Sequence, residues 1–503
     1  MRLGLILLLL VAAFSAPSPA QAQKSADTLR ISWREAVLDP DPYHNPLRNG
    51  LVLAHQAWDG LIWRDPETLT LKPLLATAWR FVDDTTLDFD LRPDARFQNG
   101  DPVTADDVVY TVQQALSDPD LAVPSNYAWL AGAEALDASH VRLHLKRVFP
   151  AALEYIALAL PILPAHYRQV MGKDGYSRHP IGAGPYRITS VSPALITLDR
   201  FDGYYAGSPK GRPAIAHLAI SQVADPQSEL ADLLEGRADW IWSYAPDNSA
   251  RITANPALQE LRVESMRLGY LQLDAAGRSG PGNPLTNLLV RQAVEAAIDR
   301  AKLSKDLLAV GARVPDAPCF ATQFGCDQAA AIRVTYDPAR ARALLAQAGY
   351  PDGFDTELVS YVLPQYAIAV AADLAAVGIR ARISQLPLGE AVARAAAGTA
   401  PLFMGSWGSY SINDVSAILP YFFGGGDQDA ARNPELRALV EQGGGTISPD
   451  QRRQAYSRAI RLIGEQALFL PLHTYVTTYA FSRALNFRAS PDELPRFFQA
   501  VWR

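Results

Sequence analysis

Over residues 86–92 apolar and polar positions alternate: Leu87, Phe89 and Leu91 on one side, Asp88, Asp90 and Arg92 on the other. That is the period of a half-buried strand. Trp79, Phe81 and Val82 precede it across the turn dipeptide Asp83-Asp84, so the two runs predict a hairpin. Asn99-Gly100-Asp101-Pro102 supplies the next reversal. Thr104, with Asp107 three residues on, forms a capping-box variant that opens a helix with Val108, Val109, Val112, Ala115 and Leu116 on its apolar face.

The same reading extends along the chain. A strand is expected over 28–33, then a loop punctuated by Pro and Asp (LDPDPYHNP) and a helix near 51–59. Val141, Leu143 and Leu145 alternate with Arg142, His144 and Lys146, giving a strand with a solvated polar face. Asp225-Pro226 caps a helix that stops at Gly236, and Asp239-Trp240-Ile241-Trp242 resumes as a strand. After 262–274 the chain continues into a helix with Leu289, Ala293, Val294, Ala297 and Ile298 on one face. Asp337-Pro338 opens a further helix that closes at Gly349-Tyr350. A strand, an alanine-rich helix to Gly378, a strand over 379–383 and a helix over 448–467 follow. Strands and helices in alternation imply an α/β layer with crossover connections.

Composition adds that this is a large, ordered chain, 49% hydrophobic and 19% charged, of two to three domains by length. The net charge of −6 and the lack of basic runs exclude a nucleic-acid partner. Met1-Arg2, an apolar run over 3–14 and Ala20-Gln21-Ala22 form a secretory signal cleaved near Ala22 or Gln23. The run is too short to span a bilayer, and no cysteine follows it to make a lipoprotein. The expected product is a soluble periplasmic protein. In that oxidising compartment Cys319 and Cys326 are expected to form a local disulfide.

Catalytic and cofactor motifs are missing. Gly182 and Gly184 lack a third glycine and precede Pro185 and a strand, so they make no phosphate loop. His140 and His144 lie on a strand, where a spacing of four does not form a metal face. No GxSxG elbow or Cys-His pair supports the rival reading, a secreted hydrolase. No cofactor, metal site or enzymatic activity is expected.

The stretch WRFVDDTTLDFDLRPDARFQNGDPVTADDVVYT, with DPQSELADLLEGRADWIW and YDPARARALLAQAGYPDGF, resembles the family 5 extracellular solute-binding proteins, the dipeptide, oligopeptide and nickel binders of ABC importers. The resemblance implies an α/β fold of the two-lobed periplasmic binding protein type (type II, cluster C-like), with three domains and a central ligand cleft. Domain I is expected to be discontinuous (23–55, 176–262 and 475–503), with the extra domain II at 56–175, domain III at 263–474 and the signal at 1–22. It also implies a monomer that captures a peptide or peptide-like solute and passes it to a membrane permease with cytoplasmic ATPase subunits. An opine, sugar conjugate or nickel complex is the alternative ligand.

In the family a cleft tryptophan is followed three residues later by an aspartate that pairs with a peptide's amino group. Here Trp407 is followed by Tyr410, which carries no charge near neutral pH. Asn413 or Asp414 could restore that clamp if the loop shifts. The arginine that the resembled dipeptide binders use for the carboxylate is expected within 356–366, and TELVSYVLPQY has none. A short zwitterionic peptide held at both ends is therefore disfavoured. The candidate ligand contacts are Trp33, Tyr43, Trp129, Tyr244, Tyr270, Trp407, Ser409, Tyr410, Asn413, Asp414 and His473.

Overall fold

The computed structural model describes residues 27–45, 47–308 and 310–503. The expected signal segment lies outside them. Among these residues ten strands form one sheet: β1 (Thr28–Trp33), β2 (Tyr186–Val191), β3 (Leu195–Arg200), β4 (His217–Gln222), β5 (Trp240–Trp242), β6 (Leu258–Leu273), β7 (Phe354–Ser360), β8 (Ile379–Gln385), β9 (Leu402–Trp407) and β10 (Phe469–Ser482). Their order is β8-β7-β9-β6-β10-β5-β1-β4-β3-β2.

Two long strands hold the halves of this sheet together. β6 and β10 run antiparallel from Leu258 opposite Ser482 to Gln272 opposite Phe469. The Phe481 end of β10 pairs with β5, whereas the Leu273 end of β6 pairs with β9. One half of the sheet is thus continued by β5, β1, β4, β3 and β2, and the other by β9, β7 and β8. Strand β1 lies inside the sheet, parallel to β4, and buries Ile31, Ser32 and Trp33 in succession. A strand covered on both faces loses alternation.

The hairpin expected over 79–91 forms from Ala76–Asp83 and Thr86–Leu91, in a separate four-stranded sheet with Leu130–Ala135 and His140–Leu145. Leu87 and Phe89 are fully buried. Asp88, expected to face solvent, is buried as well, because Arg80 and Arg142 from the flanking strands bind its carboxylate at 2.8 and 2.7 Å. The helix Ala105–Ser117 opens as the sequence predicts, with Thr104 N donating to Asp107 Oδ2 at 2.9 Å. His140 and His144 are half exposed on their strand.

Gly182 and Gly184 serve packing. A Cβ on Gly182 would sit 2.3 Å from Ala57 O, and its N–H donates to Gln98 Oε1 at 2.9 Å. Helix α1 (Arg48–Ala57) leads into that contact. Cys319 and Cys326 are joined by a disulfide, as expected.

Candidate functional site

The register of the two long strands breaks where they pass from one half of the sheet to the other. Glu264 faces Val476 and Leu268 faces Thr474, so Ser265, Met266 and Arg267 stand against Tyr475 alone. A bulge bends its strand and redirects its side chains. Here Met266 N is tied to Pro491 O at 2.9 Å, and Arg267, its side chain 36% exposed, lies in the hollow between the halves. Just beyond, Gly269 admits the ring of His473, whose Nε2 would stand 2.4 Å from a Cβ there. His473 is fully buried, packs on Tyr366 and Tyr475, and is pushed down to about 4 by burial.

Strand β9 ends at Trp407, opposite Leu268. Its ring stacks on Tyr421 (4.3 Å between centroids, 25° between planes) and meets the edge of Tyr410 at 5.8 Å. Tyr361 Oη donates to Ser406 O at 2.6 Å and accepts from Ser406 N at 2.7 Å, which fixes the approach to Trp407. These side chains, with Tyr270, Phe403, Ser409 and Gln428, line a cavity of about 450 Å³. The buried indole N–H of Trp407 finds no acceptor among the described residues. A second hollow of about 230 Å³, lined by Tyr43, Leu51, Tyr127 and Leu158, adjoins it, and both share Arg48, Arg267 and Tyr410.

The loop after Trp407 is strained. Ser409, Tyr410 and Ser411 have φ of 50, 48 and 64°, a region that costs a residue with a side chain roughly 1 kcal/mol or more. Fixed partners hold it: Ser411 Oγ donates to Asp492 O at 2.7 Å and accepts from Arg48 Nη1 at 2.8 Å, and Arg64 Nη1 donates to Ser411 O. Arg64 also binds Glu154 at 2.9 Å and Asp492 at 3.0 Å, and Arg496 closes on Asp492 at 2.6 Å. Burial pushes the Asp492 carboxyl up, but the Arg496 and Arg64 guanidiniums outweigh it and hold it well below the usual range.

The structure brings Tyr43, Tyr270, Trp407, Ser409 and Tyr410 to this continuous hollow. The other candidates line neither part of it. Trp33 is a fully buried core residue of β1. Trp129 stacks on Phe149 and donates to Asn126 O at 2.7 Å. Tyr244 is buried with Leu230, Leu233 and Ile241, and His473 is enclosed as described. Asp414 gives its charge to Arg452, with both oxygens at 2.8 Å, and accepts Ser416 N. Asn413 spends its N–H on Glu154 and its Oδ1 on Thr322.

Sequence reasoning missed Arg48, Arg267, Tyr127, Tyr361 and Tyr421. The only signal for Arg267 was the break in alternation at Glu264-Ser265-Met266-Arg267. Tyr361 stands within the segment searched only for arginine.

The family described as "Bacterial extracellular solute-binding proteins, family 5 Middle" matches residues 70–429. The glutathione-binding protein GsiB of Salmonella typhi is 26% identical over 505 residues, covering 94% of both chains. Among solved structures, HbpA2 from Haemophilus parasuis superposes with a TM-score of 0.84 at 22% identity, over 95% of this chain and 100% of that one. MoaA of A. tumefaciens R10, solved in complex with mannopinic acid, superposes with a TM-score of 0.74 at 22% identity, over 95% and 99%.

Proposed function

Since the chain belongs to the family 5 bacterial extracellular solute-binding proteins, the components of ABC importers that deliver a captured solute to a membrane permease with its ATPase subunits, we propose that its ligand is a peptide or peptide-like solute bound in the hollow beside Trp407. The observation that carries this reading is the cavity of about 450 Å³, walled by Trp407, Tyr421, Tyr361 and Tyr270, next to the strands β6 and β10 that join the halves of the sheet. A volume of this order suits a small solute. We assign the lobes to 23–55, 176–262 and 475–503 on one side and 263–474 on the other, with 56–175 as the additional domain.

The contacting side chains in this reading are Tyr43, Tyr270, Trp407, Ser409 and Tyr410. Micromolar capture needs about 8 kcal/mol, which aromatic stacking and backbone hydrogen bonds can supply without an ammonium clamp. A ligand that touches both lobes favours the closed form, because only that form makes every contact. The protein acts by binding, without turnover. In this reading it acts as a monomer exported by a cleaved signal. Tyr410 at the place of the amine-binding aspartate favours a second reading, an opine or sugar conjugate.

The test is mass spectrometry of small molecules released by denaturing the protein purified from its export compartment. A peptide-like solute is expected from the wild type and about tenfold less from Trp407→Ala. An empty cleft, with no thermal shift across peptides, opines and nickel, overturns the scavenging role.

A further inference from the structure

Resting on that reading of the cleft, we infer that Arg267, with Arg48 beside it, is an anion-binding element and that the transported solute places a carboxylate there. Charge around the strained loop is unbalanced. Arg48, Arg64, Arg267 and Arg496 face Glu154, Asp492 and Glu493, four guanidiniums against three carboxylates. Arg64 and Arg496 are buried and held by Glu154 and Asp492 at 2.6 to 3.0 Å. That leaves Arg48 and Arg267 to share Glu493, at 3.5 and 3.7 Å, and to repel each other. The guanidinium of Arg267 makes no hydrogen bond among the described residues, whereas the buried Arg452, Arg291 and Arg300 each donate to fixed oxygens at 2.8 to 3.1 Å. One carboxylate entering the cavity would neutralise the excess.

The backbone spends stability to put these cations where they are. Arg48 is the first residue of α1, whose first turn has no acidic residue and no side-chain cap, so the helix dipole opposes it. Arg267 reaches the cavity because the bulge at 265–267 turns it out of the ladder. Both line the two hollows. A planar guanidinium matches a carboxylate in bidentate fashion and retains its charge at any physiological pH. Arg267 thus takes the role that an arginine within 356–366 was expected to fill.

Carboxylates of a peptide and of a sugar acid share this chemistry, so both are used as probes. Titration calorimetry of the mature chain with glutathione, its diethyl ester and mannopinic acid, in 50 and 500 mM KCl, reads the assignment directly. The wild type is expected to bind at least one acid, more weakly at high salt, and the ester at least tenfold more weakly. Arg267→Gln is expected to lose about 10- to 100-fold, or about 1.4 to 2.8 kcal/mol, together with most of the salt dependence, and Arg267→Lys to regain part of it. Binding of glutathione alone identifies a peptide carboxylate, and of mannopinic acid alone a sugar acid. The proposal is overturned if Arg267→Gln, folded by circular dichroism, binds like the wild type while Trp407→Ala does not; the cleft reading then stands. A solute without an acidic group, released on denaturation, overturns it equally. A wild type that binds neither acid and releases no solute overturns the cleft reading itself, and this assignment with it.

Discussion

Asp492→Asn isolates the ion network that secures the strained loop. Asp492 is fully buried, and its oxygens accept from Arg496 at 2.9 and 2.6 Å, Arg64 at 3.0 Å and Leu494 N at 3.2 Å. The amide keeps the shape and one accepting oxygen but removes the charge and sets an NH2 donor against a guanidinium, leaving Arg496 with Leu494 O and at most that one side-chain oxygen. Breaking a buried pair costs about 3–5 kcal/mol. Arg64 retains Glu154 and Ser411 O, so the lower end, about 3 kcal/mol, is expected. Urea unfolding at pH 7, followed by circular dichroism and analysed for its first transition, measures this loss. The sign of its pH dependence follows from the depressed carboxyl. The charge favours the folded chain, so its contribution is complete above the ordinary 3.8 and is lost as pH falls towards the folded-state value. Wild type and variant should therefore converge in acid. A loss below about 1 kcal/mol at pH 7 would refute the view that this pair carries the network.

The second and third expectations concern the other half of the sheet. Arg394 grips both oxygens of Glu357 at 2.9 and 3.0 Å and, against burial, holds that carboxyl down to about 2. This contribution is complete above 4.5 and fades as pH drops towards 2, so Glu357→Gln should lose stability at pH 7 and show a shallower acid loss; equal urea midpoints at pH 7 would contradict it. Cys319→Ser opens a loop of separation 7, which the chain-entropy relation values at about 2.5 kcal/mol, and reduction of the wild type should lower its melting temperature to the same degree.

Elements whose signals are local were readable from the chain alone. The hairpin at 76–91 and the Thr104–Asp107 cap depend on residues within a few positions of one another, and both formed as expected. The order of the ten strands was not readable. It pairs β1 with β4 and β5, and β6 with β9 and β10, across gaps of up to about two hundred residues that no periodicity reports. Burial of Asp88 shows the same limit at a single residue. Alternation gave its side of the strand, but the two arginines that neutralise it arrive from neighbouring strands.

For the site, residue type proved a weaker guide than backbone geometry. Trp33 and Trp129 have the surface of binding residues, yet Trp33 is buried in strand β1 and Trp129 is stacked on Phe149, so both are consumed as packing. Asp414 has the charge expected of an amine clamp, but both its oxygens accept from Arg452 Nη2 and one also from Ser416 N, so it has little left to offer a ligand. Arg267 looks like a polar residue of an ordinary strand. It gains significance because three residues of β6 oppose one of β10, at the place where the sheet passes between its halves. A regular ladder would carry a side chain there to one face or the other, whereas the bulge turns this one towards the hollow. The break in alternation at 264–267 is therefore the mark of the site in the sequence, and it reads as such only once the two crossing strands are known to be partners.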